Sequence, residues 1–106
     1  MSSKDRYHSW FTEEDIVDVE IERERGEVVG FAVNLRSRIG GEWREVIRYD
    51  TRHGALHVHR FWRAEEESVE YLEGRSEAER AYGRALDEAI EDIRTNWRDY
   101  RARLSG

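Results

Sequence analysis

The sequence has no cysteine and no proline, and its only methionine is Met1. Without cysteine there are neither disulfides nor thiolate metal sites, and the redox compartment cannot be read. Glutamine is also absent, asparagine occurs only at Asn34 and Asn96, and Lys4 is the sole lysine. Few thermolabile side chains and 40% charged residues suit a warm-living source, where ion networks help more than at 25 °C. A GC-rich genome with Arg-rich codon usage explains the same bias. No apolar run reaches the length of a membrane span or a signal sequence, so the expected location is cytoplasmic. There is no basic excess either: the formal net charge is −6 and the pI about 5.3. Nucleic-acid binding by bulk charge is disfavoured, although a local basic patch is compatible with that total. No repeat, linker or low-complexity segment divides the chain, so residues 1–106 are read as one domain, large enough to bury roughly two-thirds of its unfolded surface.

What is present is a strong helical period from Ser76 to Leu104. At 3.6 residues per turn, Tyr82, Leu86, Ala89, Ile90, Ile93, Trp97, Tyr100 and Leu104 fall within an arc of roughly 100°. Ser76 and Glu79 have the form of a capping box. Gly83 is the weak residue inside, costing about 1 kcal/mol relative to Ala, and close approach of another backbone would explain it. On the polar side, Arg80, Arg84, Arg94, Arg98 and Arg101 project to one flank and Glu77, Glu88, Asp92 and Asp99 to the other. Pairs such as Asp99–Arg103 and Glu91–Arg94 make a solvated face; a basic stripe facing an acidic partner is the sharper alternative.

Before that helix the period is two. Asp15 to Glu24 alternates Val17, Val19 and Ile21 with acids. Arg25-Gly26-Glu27 turns the chain, and Val28 to Arg38 puts Val29, Phe31, Val33 and Leu35 on one face. Gly40-Gly41 is a two-residue hairpin signal. Glu42 to Asp50 alternates Trp43, Ile47 and Tyr49 with Arg44, Val46, Arg48 and Asp50. Ala55 to Arg63 follows, with Leu56, Val58 and Trp62 inward. Ser68 to Leu72 is read as a short fifth strand. The first residues are expected to fray, with Tyr7, Trp10 and Phe11 anchoring the segment to the domain. Neither layer could bury its apolar side alone. The fold class is therefore α+β: a four- to five-stranded antiparallel meander packed on one long C-terminal helix, in two layers. Membrane action is disfavoured because the core needs the apolar helix face.

The sheet face away from the helix is expected to carry any chemistry. It holds Asp18, Glu20 and Glu22, then Arg36, Arg44 and Arg48, then His57 and His59, with Gly30 and Ala32 leaving a shallow place in the middle. Asp50, His53, His57 and His59 form the densest polar set. Two histidines two apart on a strand project to one face, a geometry that divalent metals use. The same set could act as general acid and base on a phosphodiester, with Arg44 or Arg48 neutralising the phosphate. Structural histidines and a turn-forming Asp50 are the more economical account, ahead of either chemistry. No second ligand motif exists, so no metal and no cofactor is assigned.

The run Gly41-Glu42-Trp43-Arg44-Glu45-Val46-Ile47-Arg48-Tyr49-Asp50, then His53-Gly54 and His57-x-His59, with Asn96-Trp97-Arg98-Asp99-Tyr100 at the helix end, resembles a small group of uncharacterised prokaryotic proteins. The resemblance covers most of Gly41 to Leu104. It implies a shared domain and transfers no mechanism. Two function classes remain. One is a small binding module, a homo-oligomer or the partner of another small protein, motivated by surplus aromatics such as Trp10, Phe11, Phe61 and Trp62. The other is a phosphoester hydrolase, ribonuclease-like and metal-assisted or not, using Asp50, His53, His57 and His59 with Arg36, Arg44 and Arg48 as binding groups.

Overall fold

The structure is a computed structural model and describes residues 2–52, 55–72 and 82–106. Six antiparallel strands run in sequence order across one sheet: β1 (Ser2–Thr12), β2 (Asp15–Glu24), β3 (Glu27–Ile39), β4 (Glu42–Asp50), β5 (His57–Arg60) and β6 (Val69–Tyr71). A 3-10 turn at Glu65–Glu67 precedes β6, and the helix α1 spans Gly83–Ser105. The α+β class, the meander and the C-terminal helix are those expected. Among the described residues the strands number six rather than four or five, because Ser2–Thr12 is a full strand paired along β2 and not a fraying anchor. Neither of its faces is apolar throughout, so alternation of hydrophobic residues could not reveal it.

Tight turns set the register. Arg25 and Gly26 both take positive φ (52° and 83°), as do Gly40 and Gly41 (63° and 82°). That is the two-residue hairpin geometry whose twist matches the flanking strands. Three bulges then re-aim side chains, the first in β1, where Trp10 faces Ile16 and Thr12 faces Asp15, so that Phe11 is extra. Leu35 faces Ile47 while Arg36 faces Glu45, so Val46 is an extra residue in β4. Glu22 faces Gly30 while Arg23 faces Val28, so Val29 is the extra residue in β3. A one-residue slip reverses every side chain beyond it. Val46 and Val28 consequently join the core, whereas Trp43, expected inside, sits on the opposite face and remains exposed. Val29 lies outside the core for the same reason.

The helix lies mainly across β3 and β4. Leu86, Ala89, Ile93 and Trp97 are buried against Val17, Val19, Ile21, Phe31, Val33, Leu35, Ile47, Leu56 and Val58, with Tyr82, Ile90, Tyr100 and Leu104 packed at the margins. The expected stripe is therefore the stripe observed. Fully burying each such aliphatic side chain contributes about 1.5–3 kcal/mol before entropy is charged against it. Gly83 is the first residue of α1, and among the described residues a Cβ there would meet nothing within 4 Å, so none of their backbone presses on it. Ser76 and Glu79, the expected capping box, lie outside the described residues. Asp99–Arg103 pair at 2.9 Å, and Glu91–Arg94 also pair.

Two polar hubs fasten helix to sheet. Asp15, 1% exposed, accepts hydrogen bonds from the Thr12 hydroxyl (2.5 Å), the Ser37 hydroxyl (2.6 Å) and Arg101 Nη1 (2.9 and 3.0 Å). Arg101 Nη2 also donates to the Arg38 carbonyl at 2.9 Å. Arg101 was expected on a solvated basic flank; it is instead the bolt at the C-terminal end of the helix. The second hub is Asp92, which accepts from the hydroxyls of Tyr49 (2.6 Å) and Tyr100 (2.7 Å). Burial first, then the Asp92 carboxylate, pushes the Tyr100 hydroxyl up to about 12 and Tyr49 higher still.

Candidate functional site

Alternation along each strand fixes what the face away from α1 presents. Lys4, Arg6, His8 and Trp10 of β1 stand opposite Glu22, Glu20, Asp18 and Ile16 of β2. Behind them come Gly30, Ala32, Asn34 and Arg36 of β3, which face Glu22, Glu20, Asp18 and Ile16 on the other side. Asp50 faces Ala32, Arg48 faces Asn34 and Glu45 faces Arg36 on β4. His57 and His59 close the series, opposite Asp50 and Arg48. The side chains are small in the middle, so a trough opens over Gly30 and Ala32. It has two lobes of about 470 and 490 Å³, sharing Arg6, Glu20, Ala32 and Arg52. The shallow place expected at Gly30 and Ala32 is the floor of that trough.

Its walls are ion pairs. Arg6 Nε reaches Glu20 at 2.6 Å, Arg36 Nε reaches Asp18 at 2.5 Å, and Arg48 Nη1 reaches Glu45 at 2.7 Å. The Asp18 hydrogen bond, more than any other influence, holds the Arg36 guanidinium in its charged form. Asn34 Nδ2 donates to Glu45 at 3.1 Å. Two buried polar atoms beside this pair, Asn34 Oδ1 and Arg48 Nε, have no hydrogen-bond partner among the described residues. Exposed pairs of this kind contribute little to stability, a few tenths of a kcal/mol to about 1. Their consequence is a face in which both signs alternate at close range.

The expected catalytic set is only partly assembled. Asp50 and His57 are cross-strand neighbours, as are Arg48 and His59. Asp50 is 2% exposed, and its Oδ1 accepts from the Arg52 backbone N–H at 2.7 Å, the turn-forming role. Arg48 and Arg52 approach its other oxygen at 3.6 and 3.5 Å. His57 Nδ1 lies 3.0 Å from the Ala55 carbonyl, and its ring tilts against Tyr71. His59 stacks on Phe61 at 3.8 Å between centroids, with Arg48 over the other ring at 5.4 Å. Burial first, then the Arg48 charge, push the His59 imidazole below the usual histidine range; Glu45 pulls the other way, and His57 adds a lesser push in the same direction as Arg48. His53 lies outside the described residues. Arg44 faces Ser37, whose hydroxyl points to Asp15 on the helix side, so Arg44 belongs to the other face. Among the described residues no three His, Asp or Glu side chains form a group that could hold a metal ion.

Both ends of the face are aromatic. Trp10 meets Trp43 edge-on at 5.9 Å, and Arg36 lies over Trp43 at 5.7 Å. Ile16, buried and opposite Trp10, belongs to this outer cluster rather than to the main core. At the far end Val69 and Tyr71 face His59 and His57 and are exposed. Sequence reading missed the contribution of β1. The available signal was charge: Lys4, Arg6 and His8 recur every second residue and match Glu22, Glu20 and Asp18 in reverse order, as a hairpin requires.

No helix among the described residues is long and apolar enough to cross a membrane. The family model that matches residues 1–105 is described as a domain of unknown function (DUF7718). No curated protein and no solved structure matches the chain.

Proposed function

We propose, for a chain that belongs to the DUF7718 family, that it is a small binding module presenting the open face of its sheet to a protein partner. One observation carries the reading. The trough over Gly30 and Ala32 is floored by small residues and walled by paired charges of both signs, and the same sheet face ends in exposed Trp10 and Trp43 on one side and Val69 and Tyr71 on the other. Among the described residues nothing packs on it. Aromatic anchors around a polar, mixed-charge surface are the composition of a specific protein interface. Neighbouring charges of opposite sign select a partner by register more than by net attraction.

The hydrolase reading would need Asp50, His53, His57 and His59 to act together. Asp50 holds a backbone N–H of its own turn, His57 lies against a backbone carbonyl, and His59 stacks on Phe61. These are structural occupations, and they favour the binding module. The test has two arms. Ala32→Arg fills the trough without touching the core; it should abolish capture of the partner that wild type retains, at an unchanged melting temperature. A partner held equally by both proteins would refute the use of this face. A metal and phosphodiester turnover screen of wild type and His57→Ala/His59→Ala should show no difference. Turnover lost in that double variant would restore the enzyme.

A further inference from the structure

We infer that the edge of β1, unpaired among the described residues, is a self-association surface, on which a second copy of the chain adds its own β1 antiparallel about a two-fold axis at Tyr7. The inference extends the binding-module reading to a second surface and names the partner there.

The two edges of the sheet are unlike. β6 is three residues long, and a short edge offers little template for pairing. β1 is eleven residues long, and its pairing with β2 runs without irregularity from Ser2 to Trp10. No proline interrupts it. Charged side chains often guard such edges. Of the three on β1, Arg6 pairs with Glu20 at 2.6 Å and Asp5 with Arg23 at 2.9 Å, both partners lying on β2, while Lys4 is exposed. Tyr7 is 48% exposed and Trp10 56%, although both sit on a strand whose inner neighbours are buried. Phe11, near the end, stacks on Trp97 of α1 at 5.3 Å.

The charge pattern selects the register. A continuous sheet with both helices on one side requires each residue to meet a residue on the same face. An axis at Asp5 sets Asp5 against Asp5 and Lys4 against Arg6. An axis at Arg6 sets Arg6 against itself. An axis at Tyr7 opposes no like formal charges: Lys4 meets Trp10, Asp5 meets Ser9, Arg6 meets His8, and the two Tyr7 rings meet at the centre. Like charges directly opposite destabilise a ladder, whereas a cation over an indole and a pair of aromatics favour it. This register pairs Lys4 to Trp10 within the regular stretch, and an axis at His8 shortens that to Arg6 to Trp10. The contact is isologous and closes on itself, so it yields a dimer and not a fibre.

The absence of cysteine makes the test specific, since an introduced thiol is the only one. Wild type should sediment as a dimer at micromolar concentration. Tyr7→Cys should form a covalent dimer on mild oxidation or with a short bis-maleimide. Asp5→Cys and Ser9→Cys should cross-link to each other when mixed, and neither to itself, because like positions lie roughly 13 Å or more apart along the ladder. Tyr7→Lys, which sets two cations at the axis, should be a folded monomer by circular dichroism. A wild type that stays monomeric at 100-fold higher concentration overturns the inference. So does a dimer that Tyr7→Lys leaves intact or that cross-links at other positions. Neither result touches the trough, whose variant Ala32→Arg is read separately by partner capture.

Discussion

Replacing Arg101 by Met isolates the role of the Asp15 clamp. The substitution keeps most of the aliphatic length and removes the charge. It leaves the Asp15 carboxylate, 1% exposed, with only the Thr12 and Ser37 hydroxyls as donors. Breaking a buried pair from one side costs about 3–5 kcal/mol, because an uncompensated charge stays in a poorly solvated place. The Arg101 side chain is itself 28% exposed, so water can enter when it leaves, and the low end, about 3 kcal/mol, applies. Loss of the bond to the Arg38 carbonyl adds roughly 1 kcal/mol. Domains of this size have a total stability of about 5–15 kcal/mol, so the variant should melt on the order of 15–25 °C lower. The assay is thermal and urea unfolding followed by circular dichroism, with Arg103→Met as control. Arg103 forms an exposed pair with Asp99, and its loss should cost under about 1 kcal/mol. Asp15→Asn combined with Arg101→Met removes both charges and should recover much of the loss. Equal, small costs for Arg101→Met and Arg103→Met would refute the clamp.

Three further outcomes follow from the same structure. Ile93 is fully buried, so Ile93→Asp should abolish the cooperative transition and Ile93→Ala should cost about 2–5 kcal/mol by denaturant melt; a near-normal melt of the Asp variant would mean the helix stripe is not core. His59 should titrate below 6.5 by NMR, and Arg48→Gln should raise its midpoint, burial remaining the larger cause. The sign for stability is then fixed: both states are neutral above that value, and as pH falls below it the unfolded chain takes the proton first, so this contribution declines with acidification until the folded midpoint is passed. Deleting Val46 restores a regular ladder without reversing any neighbour, so that variant should fold with a loss of about 2–3 kcal/mol by urea melt. Deleting Arg48, which would slip the register at the site, should be far worse, and similar losses from the two deletions would contradict the bulge.

The helix stripe, the two tight turns and the inner faces of the central strands were legible because burial imposes a period on the chain. Leu86, Ile93 and Trp97 had to share a face, and so did Val17, Val19 and Ile21. The bulges were not legible. Val46 and Ile47 are both apolar and adjacent, and strict alternation has to discard one of them; it kept Ile47 and so placed Trp43 inside. A bulge keeps both and turns Trp43 outward onto Trp10. The exposed aromatic cluster was therefore hidden by a single extra residue. Arg101 was misread for a different reason: spacing shows which flank of the helix it takes, but only tertiary structure brings Asp15, eighty-six residues earlier, beneath it. β1 was hidden because its partners are charges, and charges at alternate positions look like a solvated segment until the complementary row on β2 is set against them.

On the outer face, local pattern carried half of the site. Period two was enough to place His57 and His59 together and to put Gly30 and Ala32 at a low point, since each follows from position within one strand. What the histidines do depends on neighbours from other elements: Ala55 and Tyr71 for His57, Phe61 and Arg48 for His59. Tyr71 and Phe61 lie against the faces of these rings, the Ala55 carbonyl lies beside His57 Nδ1, and burial with the Arg48 charge holds His59 toward its neutral form. A ring stacked on Phe61 with Arg48 alongside has an apolar body and a cationic neighbour, which suits an anchor at a contact surface. The same residues, read by type alone, point to catalysis; read with their partners, they fit the contact surface proposed above.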